Sequence, residues 1–448
     1  MNKNYQILSR RRFLKNSSIG AAGIIAVPTI IQSCANGKSA SDRILIAHIG
    51  VGSQGQGELK GYFVPLETSY QIATCDPFMA RRDASADYIN KTYKDQGIKA
   101  PKCKSYLNFE EVLERDDIDA VHITTPDHWH VPLAIHAARA GKHIMLAKPL
   151  GLSYPNFEIL EKELQANDVK FHYGTQQRSQ RHMQLAIEMI EDGTIGEIEK
   201  VDVWAPGFNA VESPVCNEVP VPADFDFDLW TGPAPLNSYC PERVTNNSSW
   251  FQYDYSIGFL GGWGAHPLDI MIWSLKDKMS GKYTCEGVGE FWKPGGMYNN
   301  IRGWDLNYEY DSGIPMHFFS YDIAEKKDLL SYRKNKESNG TTFYGSKGWI
   351  TLSRSSVQSN IPEIDKKLND LIGKDENFGQ MFVDVIKGNI AETNPLDEAI
   401  LSDCVSHMGD IAIRSGRKIT WDPEIGEVVD DADANKWFVR KMRSPYEI

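Results

Sequence analysis

Two places in the sequence carry residue types whose spacing points to chemistry. The first is Gly50-Val51-Gly52-Ser53-Gln54-Gly55, a G-x-G-x-x-G run. In such a run Gly50 permits a tight turn, Gly52 lets the backbone approach an anion, and Gly55 lets a helix pack close to a strand. Free N–H groups and the dipole at that helix start would hold a pyrophosphate. The second place is Asp76, followed by Pro77. An acid about 20 residues past the glycines is placed to accept both ribose hydroxyls of a dinucleotide. A carboxylate repels a 2′-phosphate, so Asp76 favours NAD. Arg81 and Arg82 lie just behind and leave NADP open. His128 and His130 beside Asp127 raise the question of a metal. Two histidines at i, i+2 do not share a helix face and no third ligand is evident, so no metal is expected.

These residues need a scaffold, and the hydrophobic pattern supplies one. Arg43 to Ile49 is a short apolar run that feeds straight into the glycines. Gln71 to Cys75 is a second strand that ends at Asp76. Asp119–Thr124, His143–Ala147 and Val169–Tyr173 continue the strands. Helices fall between them, over Val131–Ala140 and from Ser153 through Ala166. Alternation at this spacing predicts an α/β fold with a doubly wound parallel sheet.

Several segments together resemble the Gfo/Idh/MocA oxidoreductases. They are Thr125-Pro126-Asp127-His128-Trp129-His130, Gly141-Lys142-His143 leading to Lys148-Pro149-Leu150, and Gly174-Thr175-Gln176-Gln177-Arg178. Gly193 to Glu197, Asp228 to Pro235 and Gly261 to Asp269 complete the set, which spans roughly residues 42 to 448. The resemblance implies an N-terminal Rossmann domain over 42–174. It also implies a C-terminal α/β domain over 175–448, with an open, mostly antiparallel sheet. The implied activity is NAD(P)-dependent oxidation of a secondary hydroxyl on a sugar, glycoside or polyol. An exported relative of this kind can also cleave glycosides by transient oxidation, elimination and return of the hydride. A third expectation is a sugar-binding lipoprotein that has lost catalysis.

The resemblance also implies site residues. Lys148 would contact the substrate hydroxyl and the nicotinamide ribose, His266 would act as acid/base, and Asp269, one helical turn on, would face the same pocket. Thr125, Pro126 and His130 would lie by the cofactor, and Gln177, Arg178 and Trp230 by the substrate. A histidine titrates near neutrality and suits the alcohol proton, while a lysine steadies a developing alkoxide. Two positions depart from the family pattern: Ala147 stands where glutamate is usual, and Gly262 where many relatives carry aspartate. Pairing through the open sheet face implies a homo-oligomer.

The start of the chain reads as an address. Ser9-Arg10-Arg11-Arg12-Phe13-Leu14-Lys15 resembles a twin-arginine export signal, and an apolar run from Ile19 to Ile31 follows. That run is too short to span a bilayer and suits a signal core. Ile31-Gln32-Ser33-Cys34 resembles a lipoprotein cleavage box, with Cys34 the lipidated residue and 35–41 a linker. A lipid-anchored or free periplasmic protein is expected. Net charge is −12; without the five basic residues of 1–33, 43 basic residues face 60 acidic ones, near −17. Such a surface repels phosphate backbones, so nucleic acid is not an expected partner. The six cysteines after Cys34 show no close spacing, and no disulfide framework is expected. Residues 206–260 are long and aromatic-rich, with little periodicity. A loop of this length is usually functional, and it should roof the substrate site.

Overall fold

The computed structural model describes residues 43–334 and 336–448, so the export address and Cys34 lie outside the described residues. Six strands form the first sheet: β1 Ile44–Ile49, β2 Ser69–Cys75, β3 Lys104–Tyr106, β4 Ala120–Ile123, β5 His143–Ala147 and β6 Phe171–Gly174. Their order is β3-β2-β1-β4-β5-β6, and all pair in parallel. The strand order reverses between β1 and β4, where a doubly wound sheet opens a crevice at the strands' C-terminal ends. The glycine run leaves β1 at this point. β4 is buried along its whole length, as expected of a central parallel strand covered on both faces.

Nine strands form the second sheet. They are β7 Ile198–Ala205, β8 Tyr283–Phe291, β9 Ile301–Tyr310, β10 Pro315–Ser320, β11 Gly340–Gly345, β12 Gly348–Leu352, β13 Val357–Ser359, β14 Ile419–Asp422 and β15 Glu427–Val428. The order is β13-β12-β11-β7-β10-β9-β8-β14-β15. Only β7 and β10 pair in parallel; every other pair is antiparallel. One face packs on the helices Ala265–Met279 and Leu396–Ser415, whose inner sides are buried. The other face is open at β8, where Val288 is 66% exposed. The fold is therefore a Rossmann sheet followed by an open, mostly antiparallel sheet.

The aromatic segment between β7 and β8 is tied by a disulfide, Cys216–Cys240. This corrects the expectation from spacing. The two cysteines lie 24 residues apart in an irregular loop, so no local pattern announced them. The last residues return to the first domain. The Arg440 N–H donates to Ser153 Oγ at 3.2 Å, and the Tyr446 ring meets Trp129 edge-on at 5.5 Å.

Candidate active site

The glycine run builds the floor of a cleft at the crossover. Gly50 has φ +84°, and a Cβ there would come within 2.7 Å of Thr124 and Thr125 backbone atoms. A Cβ on Gly55 would meet the Gly50 carbonyl oxygen at 2.3 Å. Both positions therefore demand glycine, one for conformation and both for space. The cleft holds about 370 Å³ and is lined by Gly50, Gly52, Asp76, Thr125, Pro126 and Trp230, among others.

Asp76 sits at its wall, 4% exposed. One carboxylate oxygen accepts the Val51 N–H at 3.0 Å and the other the Phe78 N–H at 2.9 Å. Each oxygen keeps a further lone pair for a ribose hydroxyl. Burial raises its pKa, with Arg81 opposing. Arg82 is committed to the Asp76 carbonyl at 3.0 Å. Arg81 lies 3.9 Å over the Phe78 ring, which stacks on Phe225. The tight glycine turn, the fixed carboxylate and the apolar walls fit a dinucleotide. Asp76→Ala should weaken NAD binding by about 10- to 100-fold, the worth of hydrogen bonds to a charged group. Titration of the purified protein with NAD reads this directly; unchanged affinity would remove Asp76 from the site.

A second cavity of about 390 Å³ adjoins the first, and Gln54 and Trp250 line both. Lys148 and His266 line it together. Lys148 directly follows β5, next to a cis bond to Pro149, and its Nζ lies 5.0 Å over the Trp250 ring. Burial lowers its pKa, while Asp127 and Glu58 work to raise it. His266 enters from the first turn of the helix Ala265–Met279 and is 2% exposed. Burial, with Arg354 and Lys148 nearby, holds its imidazole well below the ordinary range. The ring is neutral at pH 7, and its Nδ1 has no hydrogen-bond partner. A neutral imidazole beside an ammonium can take a proton from a hydroxyl that the ammonium polarises.

Other lining residues come from segments that no motif marked. The helix Ser53–Glu58 runs into a wider π-type turn, Leu59–Phe63; Glu58 at the helix end and Tyr62 in the turn line the cavity. Such turns recur at functional sites. Glu58 accepts bonds from Gln54 and His122, both at 2.8 Å. Burial favours its neutral form, but those bonds and the Lys148 charge hold its pKa below the ordinary value. Arg354 is also unmarked, while Gln176 and Trp263, which share the wall, come from two of the matched segments.

The two departures from the family pattern have a physical context. At Gly262, a Cβ would lie 3.8 Å from the Trp250 indole, so that ring occupies the side an aspartate would face. The Trp250 N–H reaches Asp127 at 3.3 Å, and Ser256 Oγ donates to the same carboxylate at 2.7 Å. Asp127 and Glu58 thus provide the carboxylate field around Lys148 that Ala147 and Gly262 do not.

Five expected residues sit elsewhere than the sequence implied. Asp269 is fully buried and bound twice to Arg178, at 2.5 and 2.8 Å; Arg178 also reaches Glu398 at 2.6 Å. Neither lines either cavity. Three residues of helix turn about 300°, so Asp269 points roughly 60° away from His266 and meets Arg178 instead. Gln176, not Gln177, lines the second cavity. Trp230 lines the dinucleotide cleft instead of the substrate cavity. His130 lines neither; its two nitrogens lie 2.6 Å from the Pro149 carbonyl and 2.8 Å from that of Thr125. It ties the nucleotide loop to the turn after Lys148.

Comparison with known proteins agrees with this architecture. Residues 44–175 match the family model described as oxidoreductase family, NAD-binding Rossmann fold. Residues 189–289 and 304–448 match that of the oxidoreductase family C-terminal alpha/beta domain. The WlbA dehydrogenase of Bordetella pertussis, solved with NADH and UDP-GlcNAcA, superposes with TM-score 0.62 at 14% identity, covering 85% of this chain and 98% of its own. The aldose-aldose oxidoreductase of Caulobacter crescentus, solved with glycerol, gives 0.59 at 16% identity, covering 85% and 100%. Among curated proteins, a glycosyl hydrolase family 109 protein of Shewanella pealeana is 30% identical over 215 residues, 43% of this chain. An alpha-N-acetylgalactosaminidase of Shewanella oneidensis is 29% identical over 216. The chain matches 44% of the length of both. With a Rossmann domain built to bind NAD and its companion domain both matched, the chain belongs to the Gfo/Idh/MocA oxidoreductase family.

Proposed function

We propose that this enzyme oxidises a secondary hydroxyl of a sugar or glycoside, with Lys148 and His266 as the reacting pair. The observation that carries the reading is the shared wall of the two cavities. Gln54 and Trp250 border both, so a ligand in the second lies next to whatever the first holds. Bound NAD supplies the hydride acceptor, and the donor when the hydride returns. Lys148 donates to the reacting oxygen and offsets its developing charge. His266 takes the hydroxyl proton. Trp250 and Trp263 offer flat faces to the sugar and keep water away.

A second reading ends the same chemistry differently, and the names of the curated relatives favour it. Oxidation of a ring hydroxyl acidifies the neighbouring C–H; a base removes that proton, the glycosidic substituent leaves, water adds, and the hydride returns to the sugar. Running the reaction in deuterated water separates the outcomes. Plain dehydrogenation gives stoichiometric NADH with no solvent deuterium on the sugar carbons. Elimination gives a released sugar with one carbon-bound deuterium and no NADH build-up. Cleavage with neither would overturn both.

The pH profile follows from the site. His266 must be neutral, and its pKa lies below the ordinary 6.5, so the acid limb of kcat/KM should fall below pH 6.5. Lys148 must be charged, and its pKa lies below 10.5, so activity should decline before pH 10.5. An acid limb centred above 6.5 would remove His266 as the base.

Export in the folded state and lipidation at Cys34 belong to the same proposal. A twin-arginine route carries a folded protein, and with it a cofactor bound inside. The Cys216–Cys240 disulfide supports an oxidising compartment. Mass measurement of the mature protein from membranes tests it: a diacylglyceryl-modified Cys34 is expected, and an intact N-terminus in the cytosol would refute it.

A further inference from the structure

The second cavity contains a cation, Arg354, that has no ion-pair partner among the described residues; the Glu337 carboxylate, which accepts the Ser355 N–H at 3.2 Å, acts on it only through its field. Arg354 lies in the turn between β12 and β13, which the Ser353 N–H closes on the Ser356 carbonyl at 3.0 Å. Gln180 donates to the Arg354 carbonyl at 3.1 Å and pins that turn to the start of the helix Arg181–Glu191. The guanidinium lies over the Trp263 ring, 5.5 Å from its centre, and lines the cavity with His266. Its Nε and Nη2 are buried, and neither has a hydrogen-bond partner. Among the described residues no carboxylate forms an ion pair with it.

The contrast with the other cations is specific. Arg178 is paired twice over, with Asp269 and Glu398. Lys148 has Asp127 and Glu58 around it. The cavity's own acid, Glu58, is held by His122 and Gln54. Buried donors without partners are costly, and more so on a charged group. A planar fork of N–H donors held against a ring matches a carboxylate, which accepts two parallel bonds.

We propose that the sugar bound beside Lys148 and His266 is an acidic one, and that Arg354 receives its carboxylate. This inference rests on the sugar-oxidising reading above and names its substrate class. It makes the cavity select against the matching neutral sugar, because that sugar leaves the guanidinium desolvated and unpaired.

The test uses NAD-loaded protein and calorimetric titration with paired methyl glycosides. Each pair differs only in a ring carboxylate against the corresponding hydroxymethyl group, in the gluco and galacto series. A 6-sulfated partner is added to each. In at least one series the carboxylate form should bind about 10- to 100-fold tighter, the range for a charged bidentate contact. Arg354→Gln should collapse that ratio towards one, and Arg354→Lys should restore part of it; melting curves of both variants check that they fold. Equal affinity within each pair, or a ratio that survives Arg354→Gln, would overturn the proposal while leaving the sugar site standing. Tighter binding of the sulfated form would replace the carboxylate with a sulfate ester and overturn the assignment as made. Failure of every sugar to bind would overturn both this proposal and the reading it rests on.

Discussion

His266→Ala is expected to lower turnover by about 10²- to 10⁴-fold, the usual contribution of a positioned acid/base group. NAD should stay bound, because His266 borders the second cavity and not the dinucleotide cleft. The side chain is buried and its Nδ1 is without a partner, so its removal leaves no donor stranded. The loss should therefore appear in kcat, with the melting temperature nearly unchanged. Steady-state kinetics alongside nucleotide titration checks this. A drop in NAD affinity that accounts for the lost rate would move His266 from the chemistry to the scaffold.

Arg178→Met is expected to destabilise the fold by about 3–5 kcal/mol, the cost of leaving a buried charge without its partner. Asp269 would then be fully buried with no cation opposite, and Glu398 would keep only Lys276, at 3.1 Å. Denaturant unfolding measures the loss. Asp269→Asn should behave in the same direction and, in the fraction that folds, turn over at close to the native rate. This separates the two readings of Asp269. A stable Asp269→Asn protein with turnover lost would return that carboxylate to the reaction.

The legible parts of the site are those that short stretches of chain encode. The glycine run needs its residue types because backbone atoms of Thr124 and Thr125 crowd Gly50, and a crowded turn leaves a sequence trace. Asp76 and Lys148 each directly follow a strand, so the strand pattern locates both. Two of the misplacements near the substrate share a cause: each depends on a rotation that spacing does not fix. Gln176 and Gln177 are neighbours in one 3₁₀ turn and point different ways. Asp269 is offset from His266 by most of a turn.

The residues that no motif marked converge from afar. Tyr62 reaches the cavity from the π turn that follows the glycine helix, and Glu58 from that helix's last residue. Trp250 comes from the irregular segment that the disulfide braces, and Arg354 from a strand connection in the second sheet. That irregular segment does roof a site, but it covers the dinucleotide cleft as well as the substrate cavity, through Trp230, Val244 and Trp250.

The most direct test of the central claim is rapid mixing of the NAD-loaded enzyme with neutral and acidic glycosides while the near-ultraviolet band of reduced nicotinamide is recorded. A substrate should produce that band within the first turnover in the native enzyme, and His266→Ala should suppress its rate by the factor given above. A glycoside cleaved at full rate by protein stripped of its dinucleotide, with no band in the loaded form, would contradict the account.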